Sequence, residues 1–171
     1  VTIGIYGAMN EGIGLANSEF SWFMNAGDKF ATPSSMNQGL AQIIGGSLGV
    51  VVGGYQLEIE NIVKTYQFSS RKLTPLNFAF NRRGGCHQAM IFRTKKLVEL
   101  GGYDTSYTLA SDFDLVLKVI LKSGGKRISE VFAKIEPGGR SDQGILLVHK
   151  EKHAIRKNLL GGSKVLIASL V

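Results

Sequence analysis

A turn-like stretch near the start of the sequence carries the first carboxylate whose setting suggests chemistry. Asp28 ends the stretch Phe23–Asp28 (FMNAGD), which includes the end of a short aromatic and apolar run. In open α/β sheets, ligands collect at the carboxyl ends of strands, and a carboxylate there can bind Mg²⁺ or Mn²⁺. Gly27 would let the backbone come close to a diphosphate. Since Asn, Gly and Asp are common turn formers, a plain turn is the simpler interpretation of this stretch taken alone.

Two further carboxylates stand at the start of a predicted helix, in the segment Ala110–Asp114 (ASDFD). Ser111 and Asp114 have the spacing of a capping box, which leaves Asp112 without a local structural role. A carboxylate that projects from a helix start into a cleft could act as a general base toward a hydroxyl. The attraction between acidic residues and a helix N-terminus explains both acids equally simply.

The segment Cys86-His87-Gln88 could suggest a thiol nucleophile and its base. Adjacent residues of a strand point to opposite faces, so we do not expect Cys86 and His87 to form that pair. His87 is expected either as a polar residue of a pocket or as a structural histidine. His149 and His153 have the spacing of a shared metal site, although a solvated basic helix face is the simpler interpretation.

A weaker signal is the segment Gly138–Ser141 (GGRS), whose backbone N–H groups and Arg140 guanidinium could cradle a phosphate. The sequence has no Walker loop, no Rossmann glycine fingerprint and no cysteine cluster. These absences disfavour the nucleotide-binding and zinc-binding classes that such motifs identify.

The elements that must position these residues follow from periodicity and glycine placement. Helices are predicted over 4–17, 36–44, 94–100, 111–123 and from 144 onward, and strands over 20–24, 48–57, 61–68 and 89–92. Thr94 is predicted as a helix cap, the pairs Gly101-Gly102 and Gly124-Gly125 as helix stops, and 69–85 as a basic, turn-rich connection. Because strands and helices interleave, the sequence predicts an α/β fold.

Composition narrows the class of protein without deciding its function. The 171 residues fit one domain, and 20 Lys and Arg against 13 Asp and Glu give a net charge of +7. Such a charge attracts nucleic acid, anionic lipid or phosphorylated ligands alike. The single cysteine excludes an internal disulfide and is typical of a reducing compartment. No apolar run approaches the ~20 residues that span a bilayer.

The order and spacing of several blocks resemble the family 2 glycosyltransferases of the GT-A type. The first block, Gly4–Ile13 (GIYGAMNEGI), resembles the family segment GIYDAMNKGI. Similar matches follow in the family order, at Asn25–Asp28 (Asn-Ser-Gly-Asp loop), Cys86–Ala89 (CHQA), Gly101–Asp104 (GGFDE), Ala110–Asp114 (ASDYD) and Gly138–Ser141 (GGVS). The resemblance implies a GT-A-like α/β domain over 1–145, with a mixed, mainly parallel sheet flanked by helices. A basic C-terminal helical extension is expected over 146–171.

The resemblance also implies roles for individual residues in an inverting, metal-dependent sugar transfer. Asp28, helped by Asn25, would bind Mg²⁺ or Mn²⁺, and Asp112 would take the proton of the acceptor hydroxyl, with Asp114 as the reserve candidate. The remaining implied contacts are Asn10 and Gly12 to the donor nucleotide, His87 and Gln88 to the acceptor or diphosphate, and Arg140 to the substrate.

Three departures from the family pattern bear on activity. Gly7 stands where the family usually has Asp, and Ala26 replaces the usual Ser. The opening strand and the Asp-Gly-Ser-x-Asp-Gly-type segment that grip the nucleotide base are absent from the sequence. We therefore expect that further residues complete the site, that another strand substitutes, or that the domain is a degenerate, non-catalytic binding or scaffold relative.

The partners implied are a nucleotide-sugar donor and a saccharide or lipid-linked acceptor, in the synthesis of a bacterial surface polysaccharide. A cytoplasmic location at the inner face of the membrane is expected. There the basic residues Lys150, Lys152, Arg156 and Lys157 could contact anionic lipid. Nucleic acid is not expected as a partner, because basic and aromatic residues do not interleave in a recognisable binding motif.

Overall fold

The structure is a computed structural model that describes residues 4–59, 62–80, 85–137 and 144–161. Its helices are α1 (Gly4–Leu15), α2 (Ser35–Leu40), α3 (Pro75–Phe80), α4 (Thr94–Glu99), α5 (Ser111–Ser123) and α6 (Ile145–Leu160). Its strands are β1 (Phe20–Trp22), β2 (Lys29–Phe30), β3 (Val50–Ile59), β4 (Ile62–Tyr66), β5 (Arg71–Leu73), β6 (Met90–Arg93) and β7 (Gly125–Ile135). A 3₁₀ turn, His87–Ala89, leads into β6.

The described strands form one mixed sheet in the order β1-β6-β3-β7-β2, with β4 paired to β3 and β5 to β7. The predicted α/β class and the mixed sheet flanked by helices are confirmed. The expected predominance of parallel pairing is not seen among these strands, since β3–β7 is parallel and the other pairs are antiparallel. Short connections such as that between β3 and β4 permit only antiparallel pairing, whereas β3 reaches β7 through a crossover that includes helices.

Strand β3 is the centre of the core because its first residues are buried on both sides. Val50 and Val52 belong to the apolar cluster that packs under α5, and Val51 belongs to the cluster on the opposite face, with Ile91 and Phe132. Successive side chains of a strand point to opposite faces, so a continuous run of valines fills both layers. The prediction of a strand covered on both faces is confirmed.

Helix α5 was predicted with its observed bounds, but its predicted capping is wrong. The N-cap is Ala110, which makes no side-chain cap hydrogen bond. Ser111 lies inside the first turn, where its hydroxyl is buried without a partner among the described residues. Asp114 instead forms an ion pair with Lys118 at 2.6 Å. The C-terminal end follows the prediction, since Gly124 adopts a φ of 71°.

The predicted cap of α4 is also wrong. Helix α4 begins at Thr94, so this residue is its first helical position, and Arg93 is the N-cap. The Thr94 hydroxyl lies 2.8 Å from that of Ser21 on β1. A hydroxyl engaged by another strand is not available to the backbone of its own helix, and α4 makes no side-chain cap hydrogen bond.

Helix α6 packs onto the helices that precede it. Ile155 is completely buried, and Nε of Arg156 donates to the carbonyl of Ala79 at 2.8 Å. The Arg156 guanidinium also lies over the rings of Phe80 and Phe113, so α6 contacts both α3 and α5. Within the described ranges, no helix is both long and apolar enough to cross a membrane.

Candidate active site

A cleft of about 980 Å³ lies where several loops and helix ends meet. Its lining residues come from α1, the loop after β1, strands β3 and β4, the turn before β6, the loop before α5 and its first turn, the end of β7 with the residues after it, and α6. Of the nine residues to which the family resemblance gave a role, five line it: Asn25, Asp28, His87, Gln88 and Asp112. The fold thus brings together, in one cleft, residues that lie up to 87 positions apart in the sequence.

Asp28 is both a turn residue and a cleft residue. The Asp28 N–H donates to the carbonyl of Asn25 at 3.2 Å, which closes the turn. Gly27 has a φ of 92°, and a Cβ there would collide with the carboxylate of Glu136. The Asp28 carboxylate accepts the Glu136 N–H through Oδ1 at 2.9 Å, and its Oδ2 is buried with no hydrogen-bond partner among the described residues. A buried carboxylate oxygen without a partner is costly unless a ligand satisfies it.

This end of the cleft fits a hard divalent cation that is shared with a ligand. The nearby groups, Asp28 and Glu136, supply carboxylate oxygens, which Mg²⁺ and Mn²⁺ prefer. In the part of the chain that the structure describes, no three His, Cys, Asp or Glu side chains come together to hold a metal. Mg²⁺ commonly binds one or two carboxylates and completes its coordination with water and phosphate oxygens. These two carboxylates could therefore hold a divalent cation together with oxygen ligands from water or from a bound molecule.

Asp112 projects from the first turn of α5 into the cleft. Its Oδ1 accepts the N–H of Phe113 at 2.8 Å, which fixes the carboxylate relative to the helix. Two phenols lie near it: burial raises the pKa of Tyr6 and of Tyr103 above the ordinary range, and the charge of Asp112 adds to both shifts. Both phenols therefore stay protonated at neutral pH, and neither competes with the carboxylate as a base.

His87 is a buried residue that also reaches the cleft wall. It is 8% exposed, and its Nε2 lies 2.6 Å from the hydroxyl of Tyr103. The rings of Phe23 and Phe92 lie within 5.6 Å of the imidazole. Burial lowers the pKa of His87, and the charge of Asp112 only partly opposes this, so the imidazole is neutral at pH 7. His87 is thus both a buried, hydrogen-bonded histidine and a polar residue of the cleft wall.

Cys86 and Gln88 bond to each other. The Cys86 thiol donates to Oε1 of Gln88 at 2.7 Å, and the Gln88 carbonyl accepts Nε1 of Trp22 at 2.7 Å. Gln88 lies in the 3₁₀ turn that precedes β6 and Cys86 is the N-cap of that turn, so Cys86 and His87 are not neighbours in a strand as expected. Burial raises the pKa of Cys86 to about 12, so the reactive thiolate is almost absent at neutral pH.

Asn10 and Gly12, which were expected beside the donor nucleotide, do not line the cleft. Asn10 accepts the N–H of Tyr103 through Oδ1 at 2.7 Å and donates through Nδ2 to the Tyr103 carbonyl at 2.9 Å. Gly12 is exposed on α1, with no atoms near the position of a Cβ. Gly7, where the family usually has Asp, is buried in α1.

Asp114 and Arg140 are likewise not part of the described cleft. Asp114 is 2% exposed, two residues beyond Asp112 on a different side of α5. Burial raises the pKa of Asp114, and the ion pair with Lys118 opposes that rise. Arg140 lies outside the described residues.

Several residues of the site had no recognised signal in the sequence. Glu136 follows β7, a strand that was not predicted, and Tyr6 was given no role of its own within the helix and the block Gly4–Ile13. Lys152 was expected on a lipid-facing surface, but it lines the cleft. Glu151 accepts three backbone N–H groups of the loop before α5, from Thr108, Leu109 and Ala110, at 2.7 to 2.9 Å. Those bonds span more than 40 positions, which no local pattern could indicate.

Two relatives share sequence with this chain over 122 residues. They are uncharacterized glycosyltransferases from two strains of Mycobacterium tuberculosis, each 27% identical over 69% of this chain. The chain is similar to glycosyltransferases. The match covers 45% of the length of these relatives, so the chain spans about half of each. No protein-family model matches the sequence.

Solved structures with the same fold include crystal structures of S. aureus TarS, residues 1–349. The TM-score is 0.61 at 16% identity, with 88% of this chain and 44% of that chain covered. For TarS in complex with UDP-GlcNAc the TM-score is 0.63 at 14% identity, with 88% and 46% covered. For its complex with UDP it is 0.58 at 15% identity, with 88% and 48% covered. The chain therefore shares its fold with the matched part of TarS.

Proposed function

We propose that this chain forms part of the catalytic domain of an inverting, metal-dependent glycosyltransferase that moves a sugar from a nucleotide-sugar donor to an acceptor hydroxyl. One observation carries the proposal: the buried, unpartnered carboxylate oxygen of Asp28 and the carboxylate of Asp112 line the same cleft. A metal-binding acid and a base in one cleft are the two carboxylates that such a transfer requires. The sequence similarity to glycosyltransferases supports this assignment.

In the proposed reaction, the acceptor oxygen attacks the anomeric carbon as Asp112 takes the hydroxyl proton. The bond from that carbon to the diphosphate oxygen breaks, and its electron pair leaves with the nucleoside diphosphate. A divalent cation held by Asp28, with Asn25 and Glu136 beside it, would neutralise charge on the departing diphosphate. His87 stays neutral and hydrogen-bonded to Tyr103, so it shapes the wall of the cleft without adding charge.

The donor proposed is a UDP-sugar, because TarS, which shares the fold, has been crystallised with UDP-GlcNAc and with UDP. The acceptor proposed is a saccharide or lipid-linked hydroxyl used in bacterial surface polysaccharide synthesis at the cytoplasmic face of the membrane. Lys150 and Lys157 are exposed on α6 and would supply its contact with anionic lipid. Lys152 and Arg156 are engaged in the fold and are withdrawn from that surface.

Donor binding and turnover test this function separately. We expect UDP-sugars with Mn²⁺ to raise the melting temperature of the intact natural protein, and Asp28→Asn to abolish that shift. Asp112→Asn should keep the shift and lower turnover by about 100-fold or more, as expected when a general base is lost. Glu58→Gln, a change at an exposed carboxylate on β3, is the matched control and should change neither quantity.

The alternative is a degenerate binding or scaffold domain. If no nucleotide sugar shifts the melting temperature of the intact protein in the presence of Mn²⁺ or Mg²⁺, the transferase proposal is wrong and this alternative is favoured. Donor binding with turnover that Asp112→Asn leaves unchanged would instead remove Asp112 as the base.

A further inference from the structure

Lys152 is a cation held inside the cleft, in a region otherwise marked by carboxylates. It lines the cleft together with Asp112, Thr108 and Leu109. Asp28 and Glu136 line the same cleft. Among the described residues that line it, Lys152 is the only Lys or Arg. A lysine in this position could bind a negatively charged group of a ligand in the cleft.

The helix that carries Lys152 is anchored on both sides of it. The preceding residue, Glu151, accepts the N–H groups of Leu109 and Ala110 at 2.9 and 2.8 Å. One turn later Ile155 is completely buried, and Arg156 bonds to the carbonyl of Ala79. Lys152 is therefore presented to the cleft by a fixed helix, unlike a surface lysine on a mobile segment. A rigid mount of this kind is what a binding residue requires.

The ammonium of Lys152 forms no close ion pair with a carboxylate among the described residues, and the charge of Asp112 acts on it from a longer distance. The ion pairs found there are Arg93–Glu19, Lys96–Glu99 and Lys118–Asp114. Its Nζ lies 5.2 Å from the ring centroid of Phe113, so one side of the group faces an aromatic surface instead of water. A partly desolvated ammonium without an anion in direct contact is electrostatically costly, and a bound anion offsets that cost.

The position of Lys152 relative to the two carboxylates indicates which ligand supplies the anion. The ammonium of Lys152 lies over the ring of Phe113, the residue that follows Asp112, and the neighbouring Glu151 bonds to the loop that leads to Asp112. Burial lowers the pKa of Lys152, and the charge of Asp112 partly offsets this. Lys152 thus lies on the Asp112 side of the cleft. In an inverting displacement the attacking hydroxyl and the departing diphosphate occupy opposite sides of the anomeric carbon. The side of the cleft that holds the proposed base, Asp112, is therefore the side that the acceptor occupies.

We propose that Lys152 forms an anion subsite that binds an acidic group, a phosphate or a carboxylate, of the acceptor. This inference rests on the proposed function for the identity of the ligand, while the anion site itself depends only on the setting of Lys152. The acceptor class is accordingly a saccharide or lipid-linked chain with a negative group near the hydroxyl that is glycosylated.

Binding of inorganic phosphate to the intact natural protein tests the subsite. The protein is first saturated with UDP-GlcNAc and Mg²⁺, so that the donor occupies the diphosphate position, and phosphate is then titrated while the amide signals of α5 and α6 are followed by NMR. We expect saturable shifts near Lys152 in the wild type and in Lys150→Met, the matched control on the exposed face of α6. Lys152→Met should weaken phosphate binding at least about fivefold, and Lys152→Arg should restore part of it.

The affinity of each variant for UDP-GlcNAc, measured by calorimetry, shows whether Lys152 binds the donor or the acidic group of the acceptor. It should stay within about twofold of the wild type in Lys152→Met and Lys152→Arg. Loss of UDP-GlcNAc binding in Lys152→Met would assign the lysine to the donor and overturn the proposal. Phosphate that binds Lys152→Met as well as the wild type, or that does not bind the wild type, would also overturn it. If the wild type does not bind UDP-GlcNAc, the proposed function fails, and the titration without donor still tests the anion site.

Discussion

Asn10 holds both backbone polar groups of Tyr103, accepting its N–H at 2.7 Å and donating to its carbonyl at 2.9 Å. The two residues are 93 positions apart, so one side chain ties α1 to the loop after α4. The neighbouring Gly102 has a φ of 72°, and a Cβ there would collide with Oδ1 of Asn10. The Tyr103 hydroxyl in turn bonds to His87, so Asn10 acts on the cleft wall through Tyr103.

Asn10→Ala should therefore lower stability without removing a ligand contact. The change leaves the N–H and carbonyl of Tyr103 without their partner, which costs about 1–3 kcal/mol per buried group. Chemical denaturation measures the loss, and Asn17→Ala, at an exposed position after α1, is the control. A variant of unchanged stability that binds UDP-sugar more weakly would instead restore Asn10 to the donor site.

His87 should make the protein less stable in mild acid. Its folded-state pKa lies below the ordinary 6.5, so below about pH 6.5 the unfolded chain binds the proton more readily than the folded one. Stability due to this group is present above that pH and is lost as the pH falls. Denaturation between pH 7.5 and 5 should show a decline that is smaller in His87→Gln. His153→Gln, at an exposed position on α6, should retain the full decline, and equal slopes in the two variants would contradict the prediction.

Glu151→Gln should loosen the loop that leads to Asp112. The carboxylate accepts three N–H groups, whereas an amide offers one oxygen and turns an NH₂ toward a donor. We expect faster hydrogen exchange at Leu109 and Ala110, and a turnover that falls more than the affinity for the donor. Glu11→Gln, on the exposed side of α1, is the matched control. Unchanged exchange at both amides would show that the three bonds do not hold the loop.

Cys86 should react slowly with thiol reagents in the folded protein. Its pKa of about 12 leaves little thiolate at pH 7.5, and the thiol donates to Gln88. Labelling by a chromogenic disulfide should be at least about 100-fold slower than in the denatured chain. Gln88→Ala removes the acceptor but not the burial, so labelling should remain slow in that variant. Rapid labelling of the native wild type would contradict this account.

Local sequence signals predicted the helices whose ends are marked by residues within the helix or next to it. Helix α5 was predicted from its apolar interior and from the glycine at its C-terminal end, and Gly101 and Gly102 ended α4 as expected. The capping box was misleading because its spacing is also satisfied by a serine inside the first turn. Burial of Ser111 against the core, which is a tertiary effect, decided its position.

Three elements near the second half of the sheet were not predicted, namely β5, α3 and β7. Strand β7 carries an irregularity opposite Gly54, where the register with β3 shifts, so the alternation expected of a strand is broken. Strand β5 and helix α3 were read as a turn-rich connection, and β5 pairs with β7 across more than 50 positions. Because Glu136 follows β7, missing that strand also hid the carboxylate that lines the cleft beside Asp28.

The bond between Trp22 and the Gln88 carbonyl has a practical consequence for following ligands. Trp22 is the single tryptophan of the sequence, and its indole packs edge-on against Phe30 while it bonds to the turn that holds His87. Any ligand that displaces this turn changes the polarity around the indole. We therefore expect the intrinsic fluorescence of the native chain to report cleft occupancy without an added label. The indole senses the ligand through its hydrogen bond to the turn that lines the cleft.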